Sequence, residues 1–497
     1  MGAEGDGTAG RGHGDAGGLN GVCRVVPGWT ERTYPGHLAF RVRTGGSSYR
    51  ARHAHFGIWT PVRHNFAAVD SDVRVLESEY DPASADNAQG TQGPLESRGR
   101  LSRLTDGLRQ TADPWLRRLG IGGLEAEGLK AWLLSRIPMA VVTWAVIWTG
   151  FGYDGVFKPH GWASVWQRWD YLRYFSIADH GYTLNARHGS SIAFFPGYPI
   201  LLYVVHLFLR SFAYSGLFIS FVTGAIACMA MVRIIAMEAE AAGLSADGVR
   251  AAARDGALLF VFAPAAVFMT AGYTESPFLA CALWGWIAAR RGRWLTAGIL
   301  LALGASIHIN GLFIMVAVAV LFLQTRPRGL REWLRGWPIA LPVVPVFAFM
   351  AYLYKLTHSW TAWQRAEELG WDRHITYPWR TFLETWKYAF GHYIIAENAW
   401  EYQLELVVTL LGMGLTLWLL YKRRWAEFTY LAISVGSLAT SHVYLSVPRE
   451  MLTWWPLWGI LAVQCVRRPW FKAVWLSFSA PVMFAIAYMF LCGKWAG

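Results

Sequence analysis

Apolar stretches of about 20 residues recur from residue 131 onward, and they constrain the fold more than any other feature. The hydrocarbon core of a bilayer is about 30 Å thick, and a helix needs about 20 residues to cross it. The composition agrees: 54% of the 497 residues are hydrophobic and 16% are charged. An ordinary soluble domain has about 25% charged residues. We therefore predict an all-α, polytopic membrane protein.

Hydropathy predicts about eleven transmembrane helices. One stretch, 294–324, is too long for a single span, and Asn310-Gly311 near its middle predicts a break between two short helices. The other nine predicted spans are 131–150, 213–237, 254–272, 275–290, 338–356, 402–420, 426–444, 450–466 and 472–492.

Basic residues cluster between the apolar stretches, and such clusters stay on the cytoplasmic side. This rule works for every cluster if "FFPGYPILLYVVHLFLR" (194–210) lies on or dips into the outer surface instead of crossing. The N-terminus is then cytoplasmic, and a large external loop (151–192) follows the first span. Three other polar segments share the external side: 273–276, 357–400 and 446–450. We expect the plasma membrane if the chain is bacterial and the endoplasmic reticulum if it is eukaryotic.

The first 130 residues differ from the rest. They are Gly-rich and polar, cannot bury a core, and lack the apolar core of a signal peptide. We predict a largely disordered cytoplasmic region at 1–130, with an amphipathic helix at 101–120, and one multispanning domain at 131–497. Nearly all of the net charge of +12 lies after residue 130, between apolar segments. No soluble domain carries a basic face, which excludes nucleic-acid binding.

The segment "WQRWDYLRYFSIADHGY" (166–182) places Asp170 between Trp169 and Tyr171, close to the end of the first span. An ionisable residue at a membrane boundary is costly and usually marks function. Aromatic neighbours would exclude water and make the carboxylate a stronger base, able to deprotonate a sugar hydroxyl. The alternative is an interfacial Asp that caps a surface helix.

Other polar residues fall at predicted helix ends. Glu275 is interpreted either as a substrate contact or as a first-turn acid that favours the helix dipole. Arg449, external against the positive-inside tendency, could hold a lipid phosphate or pair with Glu450 or Asp170. His308 and Asn310 could bond substrate hydroxyls or form a satisfied intramembrane pair.

The loop 358–382 mixes Trp with planar polar groups such as Gln364, which suits sugar and phosphate recognition as well as an interfacial belt. No Walker loop, dinucleotide fingerprint or zinc motif occurs, and the five cysteines show no paired or metal-ligand spacing. The sequence requires no cofactor and leaves a divalent metal open.

Four motifs, "WDYLRYFSIADHGY", "AFFPGYP", "FAPAAVFMTAGYTESPF" and "SVPREMLTWWPL", occur in this order. Together they resemble the second mannosyltransferases of glycosylphosphatidylinositol (GPI)-anchor assembly and their bacterial homologues, which are multispanning GT-C glycosyltransferases. The resemblance covers roughly residues 131–490. Two positions depart from it: His308 stands where relatives tend to have arginine, and Glu450 follows Arg449 where tyrosine is more usual.

The resemblance implies an inverting transfer of a sugar, mannose in this family, from a polyprenyl-phosphate donor to an acceptor hydroxyl at the external face. On this resemblance Asp170 would be the base, and Glu275 and Arg449 would line the substrate site. From their own position and chemistry, we also expect substrate binding by Trp169, Arg173, His308, Asn310 and Gln364. The partners would be the donor lipid, membrane lipids and a lipid, glycan or protein acceptor. A lipid or glycan transporter or flippase and a non-catalytic partner subunit are the alternatives.

Overall fold

The structure, a computed structural model, describes residues 122–149, 161–183, 191–391 and 396–494, without the side chains of 396–398. This part of the chain contains no β-strand, so the all-α prediction is confirmed. The α-helices are α1 (Gly123–Thr149), α2 (Asp170–His180), α3 (Gly197–Leu209), α4 (Phe212–Ala241), α5 (Ala246–Val261), α6 (Glu275–Arg290), α7 (Trp294–Ile307), α8 (Asn310–Gln324), α9 (Leu330–Leu334), α10 (Val343–Thr357), α11 (Ala362–Trp371), α12 (Pro378–Phe390), α13 (Ala396–Tyr421), α14 (Trp425–Ala439), α15 (Val447–Glu450), α16 (Trp455–Arg467) and α17 (Pro469–Leu491).

The predicted count of eleven spans is not confirmed. By length and composition, four helices in the described part of the chain can cross a bilayer: α1, α4, α17 and the part of α13 from Ala399 to Tyr421. A fifth span is formed if Leu330–Ala340 and Val343–Thr357, bent by 45°, act together. Several predicted spans are shorter helices; α6 has 16 residues and is therefore about 24 Å long. The chain is a multi-pass membrane protein, and its exact number of spans stays a prediction.

Helix boundaries differ from the prediction at two places. α1 begins at Gly123, before the predicted start of the first span at residue 131. The predicted helix 254–272 ends at Val261 and continues only as a 3₁₀ turn at Ala266–Met269. Pro264 explains this end, because proline cannot donate to the helix ladder and disfavours helical backbone in the residue before it. The predicted break in 294–324 is confirmed, since α7 ends at Ile307 and α8 begins at Asn310. The predicted helix at 101–120 lies outside the described residues.

α6 occupies the centre of the fold. Nearly all of its side chains are buried, and it packs against α4, α7 and α8. Glu275 is its first residue and Arg290 its last. α7 begins just after Arg293 and ends beside His308, whereas α8 runs from Asn310 back toward Arg326. The polar residues singled out from sequence therefore lie at one end of these helices and the basic clusters at the other.

Ion pairs join the basic ends of the helices. Arg424 binds both oxygens of Glu238 at 2.6 and 2.7 Å and also contacts Glu427, which lies 3.6 Å from Arg290. Glu125 of α1 likewise pairs with Arg233 of α4. Planar guanidinium groups suit such partly buried, bidentate pairing. These contacts fix the helices to one another at the end opposite the predicted site.

Candidate active site

Tyr171 fixes the short helix that begins at Asp170. Its hydroxyl donates to the carbonyl of Phe212 at 2.5 Å, and its ring packs against Gly216 and Gly272. A Cβ atom on either glycine would come within 2.6 Å of the Tyr171 ring. The absence of side chains at these positions lets α2 approach α4 and the segment before α6, which brings Asp170 toward Glu275.

Gly272→Ala tests this close approach. The added methyl would push the Tyr171 ring aside, and overpacking of this kind costs about 1–3 kcal/mol of folding free energy. We expect a lower melting temperature of the detergent-solubilised protein. Gly414→Ala, in α13 with open space around the position, should leave the melting temperature unchanged or raise it slightly. Equal melting temperatures for Gly272→Ala and the wild type would show that the site tolerates the methyl.

Arg449 joins the two acidic residues predicted at the site. Its Nη1 lies 3.1 Å from Asp170 Oδ2, and its Nε and Nη2 lie 2.8 and 2.6 Å from Glu275 Oε1. The three side chains are no more than 14% exposed. Of the two ionic partners weighed for Arg449, the structure selects Asp170 over Glu450 and adds Glu275. One cation therefore faces two carboxylates in a largely buried site.

Aromatic rings support the guanidinium of Arg449. Its Cζ lies 4.6 Å from the ring centre of Phe268 and 5.1 Å from that of Tyr273. Burial lowers the pKa of Arg449, but the charges of Glu275 and Asp170 outweigh this effect and raise it above the ordinary value. Arg449 thus stays charged at every physiological pH.

The ion-pair cluster has unused hydrogen-bonding capacity. A guanidinium has five N–H donors, and three nitrogen–oxygen contacts leave one N–H on each terminal nitrogen of Arg449. Glu275 Oε2 is buried and accepts no hydrogen bond from the described residues. Asp170 contacts Arg449 through Oδ2 alone, and Oδ1 is not engaged by any described residue. Donors and acceptors are thus both available at one place.

Asn310 and Glu450 form a neighbouring polar group. The amide of Asn310 donates to Glu450 Oε1, which also accepts from Ser434 Oγ and Thr453 Oγ1 at 2.9 Å. His308 lies at the break between α7 and α8, where its Nδ1 is 3.4 Å from the backbone nitrogen of Asn310. The sequence left open a satisfied pair of His308 with Asn310; in the structure the buried side-chain amide of Asn310 is instead engaged by Glu450.

The other three residues predicted to bind substrate differ in their burial and surroundings. Trp169 has a positive φ of 49°, occupies the N-cap of α2 and packs on the core. Arg173 is half-buried one turn after Asp170; burial lowers its pKa, and the charge of Asp170 partly offsets this. Gln364 is exposed on α11. The structure therefore brings Asp170, Glu275 and Arg449 into contact, and within the described ranges Gln364 forms no hydrogen bond with them.

Sequence reasoning missed the carboxylate of Glu367. It is half-buried on α11 and lies 3.4 Å from Arg373 Nη1. Burial raises the pKa of Glu367; Arg373 opposes this effect, and the negative charge of Asp170 adds to it. The amphipathic pattern of α11 offers a signal, since Glu367 lies one helical turn after Trp363, which packs against the core. Across the described ranges, no three His, Cys, Asp or Glu side chains are arranged to hold a metal ion.

Comparison with known proteins bears directly on this site. Residues 160–329 match the family described as "Mannosyltransferase (PIG-V)". The chain resembles the PIG-V mannosyltransferases. The matched stretch includes Asp170, Glu275 and His308, whereas Arg449 lies outside it.

Two curated relatives carry the same name, GPI alpha-1,6-mannosyltransferase 2. The Cricetulus griseus protein is 32% identical over 190 residues, which cover 37% of this chain and 36% of that protein. The Mus musculus protein is 33% identical over 150 residues, 29% of each chain. The chain thus matches about a third of the length of these relatives, and the resemblance predicted from the motifs is confirmed.

Proposed function

We propose that the protein is a membrane glycosyltransferase that moves mannose from a polyprenyl-phosphate donor to an acceptor hydroxyl, with inversion at the anomeric carbon. The observation that carries the proposal is the contact of Arg449 with both Asp170 and Glu275. A candidate base, a second carboxylate and a cation for a phosphate lie together, in a chain that resembles mannosyltransferases.

Asp170 acts as the general base in this proposal. Its unengaged Oδ1 takes the proton of the acceptor hydroxyl as that oxygen bonds to the anomeric carbon of the donor. Positioned proton transfer contributes about 10²–10⁴-fold to a rate. Glu275, through its unpartnered Oε2, accepts a hydrogen bond from a hydroxyl of the sugar. A buried carboxylate oxygen without a partner costs free energy, and a sugar hydroxyl would remove that cost.

Arg449 acts on the leaving group. The bond between the anomeric carbon and the phosphate oxygen breaks as the acceptor attacks, and the electron pair leaves with the lipid phosphate. The two remaining N–H groups of Arg449 can bind phosphate oxygens while its contacts with Asp170 and Glu275 persist. A fixed cation where negative charge develops is an effective form of transition-state stabilisation.

The external face is the proposed side of the reaction. The site lies at the ends of α6, α7 and α8 that are opposite to the basic clusters at Arg290, Arg293 and Arg326. Positive clusters stay cytoplasmic, which supports an external site and a cytoplasmic N-terminus. The donor would then enter from the outer leaflet.

Purified protein in liposomes, supplied with radiolabelled polyprenyl-phosphate mannose and a lipid extract as acceptor source, tests the proposal. We expect the label to move to a new acceptor in a time-dependent reaction. Empty liposomes and heat-inactivated protein serve as controls. Movement of intact donor lipid between leaflets without transfer would replace the proposal by the flippase alternative. Absence of both activities would favour a non-catalytic partner subunit.

A further inference from the structure

A buried carboxylate on α13 contacts the segment that carries Arg449. Glu405 is 4% exposed, and its two oxygens accept the backbone N–H groups of Ser446 and Val447 at 2.7 and 2.9 Å. These residues lie 41 and 42 positions away along the chain. Arg449 follows Val447 by two residues on the four-residue helix α15.

The contact satisfies backbone groups that the short helix cannot satisfy itself. The first N–H groups of a helix have no partner within it. Pro448 has no N–H, and Glu405 supplies acceptors to the N–H groups of the two residues before it, Ser446 and Val447. A carboxylate at this end also interacts favourably with the helix dipole. Ser446 has a positive φ of 66°, a strained conformation for a non-glycine residue that its surroundings must maintain.

The other end of α15 is held as well. Glu450, its last residue, is bonded by Asn310, Ser434 and Thr453. Arg449 therefore sits on a rigid turn fixed at its start by Glu405 and at its end by Glu450. An arginine on a free loop would hold two carboxylates less firmly, because the mobility of its long side chain would add to that of its backbone.

We infer that Glu405 is a positioning residue, which holds the backbone of Ser446 and Val447 so that the guanidinium of Arg449 stays on Asp170 and Glu275. The expected effect on catalysis rests on the proposed function. The hydrogen bonds from Ser446 and Val447 to Glu405 do not depend on which reaction the protein catalyses. Glu405 hydrogen-bonds the backbone of Ser446 and Val447, not the side chains of Asp170 or Glu275. Its effect on the reaction is therefore indirect, through the position of Arg449.

Glu405→Gln is the informative variant, because an amide offers one acceptor oxygen where two backbone donors need one each. Glu401→Gln is the matched control. Glu401 lies one turn earlier on α13 and is buried to a similar degree, and its Oε1 has no hydrogen-bond partner in the described part of the chain. Glu405→Asp, which keeps the charge on a shorter side chain, covers the case in which Glu405→Gln fails to fold.

Three measurements test the inference on protein in nanodiscs. Hydrogen exchange of a peptide containing Ser446 and Val447 should be about 10-fold faster in Glu405→Gln, since a charge-assisted hydrogen bond is lost, and unchanged in Glu401→Gln. The kcat for sugar transfer should fall about 10-fold, with KM for the donor changed less than about 3-fold. In an Arg449→Lys background, Glu405→Gln should lower kcat less than about 2-fold, because the group that it positions is already altered.

Unchanged exchange, or an equal loss of kcat in both backgrounds, would overturn the positioning role. Partial recovery in Glu405→Asp would support it. If the wild-type protein transfers no sugar, only the proposed function is contradicted. Faster hydrogen exchange in Glu405→Gln would then still support the role of Glu405 in fixing the backbone of α15.

Discussion

Asp170→Asn should abolish sugar transfer, lowering kcat by about 10²–10⁴-fold, because an amide cannot take the proton of the acceptor hydroxyl. The substitution is nearly isosteric. The amide oxygen of asparagine can still accept from Arg449 Nη1, so the helix that begins at residue 170 should keep its place. The measurement is the initial rate of label transfer from radiolabelled polyprenyl-phosphate mannose, with protein amounts matched by blotting.

Asp179→Asn is the control for this variant. Asp179 lies on the same helix, its side chain is 42% exposed, and among the described residues its one ion-pair partner is the imidazole of His180, at 3.4 Å. Its loss should change the rate less than 2-fold, since exposed ion pairs contribute little. Wild-type rates in Asp170→Asn would remove this residue from the mechanism and leave Glu275 or Glu367 as candidate bases.

Much of the fold follows from composition and local sequence. The helical class follows from the apolar stretches, and the break between α7 and α8 follows from Asn310-Gly311. Hydropathy overestimates the length of a helix that ends near a proline, as at Pro264. It sums the apolarity of the side chains and does not register whether the backbone is helical. It therefore predicted one continuous helix at 254–272 where the structure has α5 followed by a 3₁₀ turn.

The site is harder to predict, because its contacts join distant parts of the chain. Asp170 and Glu275 stand out from sequence as acids at helix ends, but their common partner lies 279 positions from Asp170. Whether Arg449 pairs with the adjacent Glu450 or with distant acids depends on which way α15 is turned. That orientation is set by Glu405 and by the hydrogen bonds of Glu450, and no local pattern reveals either. Gln364 is the opposite example. The mixture of Trp and polar residues around it predicted a substrate contact, but its side chain is exposed on α11.

Arg449→Met should destabilise the protein as well as inactivate it. The substitution leaves Asp170 and Glu275 as two buried carboxylates without a cation, and breaking a buried ion pair from one side costs about 3–5 kcal/mol. We expect a clear fall in the melting temperature in detergent. Arg365→Met, which removes an exposed arginine from α11, should leave the melting temperature unchanged.

Two further variants separate the stabilising role of Arg449 from its catalytic role. Adding Glu275→Gln to Arg449→Met removes one of the two unpaired charges, so the melting temperature should recover in part while transfer stays absent. Arg449→Lys keeps the positive charge but presents a single ammonium group, which cannot bridge two carboxylates and a phosphate together. We expect it to fold and to lower kcat by about 10²-fold or more. Wild-type kcat in Arg449→Lys would contradict the proposed contact with the leaving phosphate. It would show that a single ammonium group is enough and that the planar guanidinium is not required.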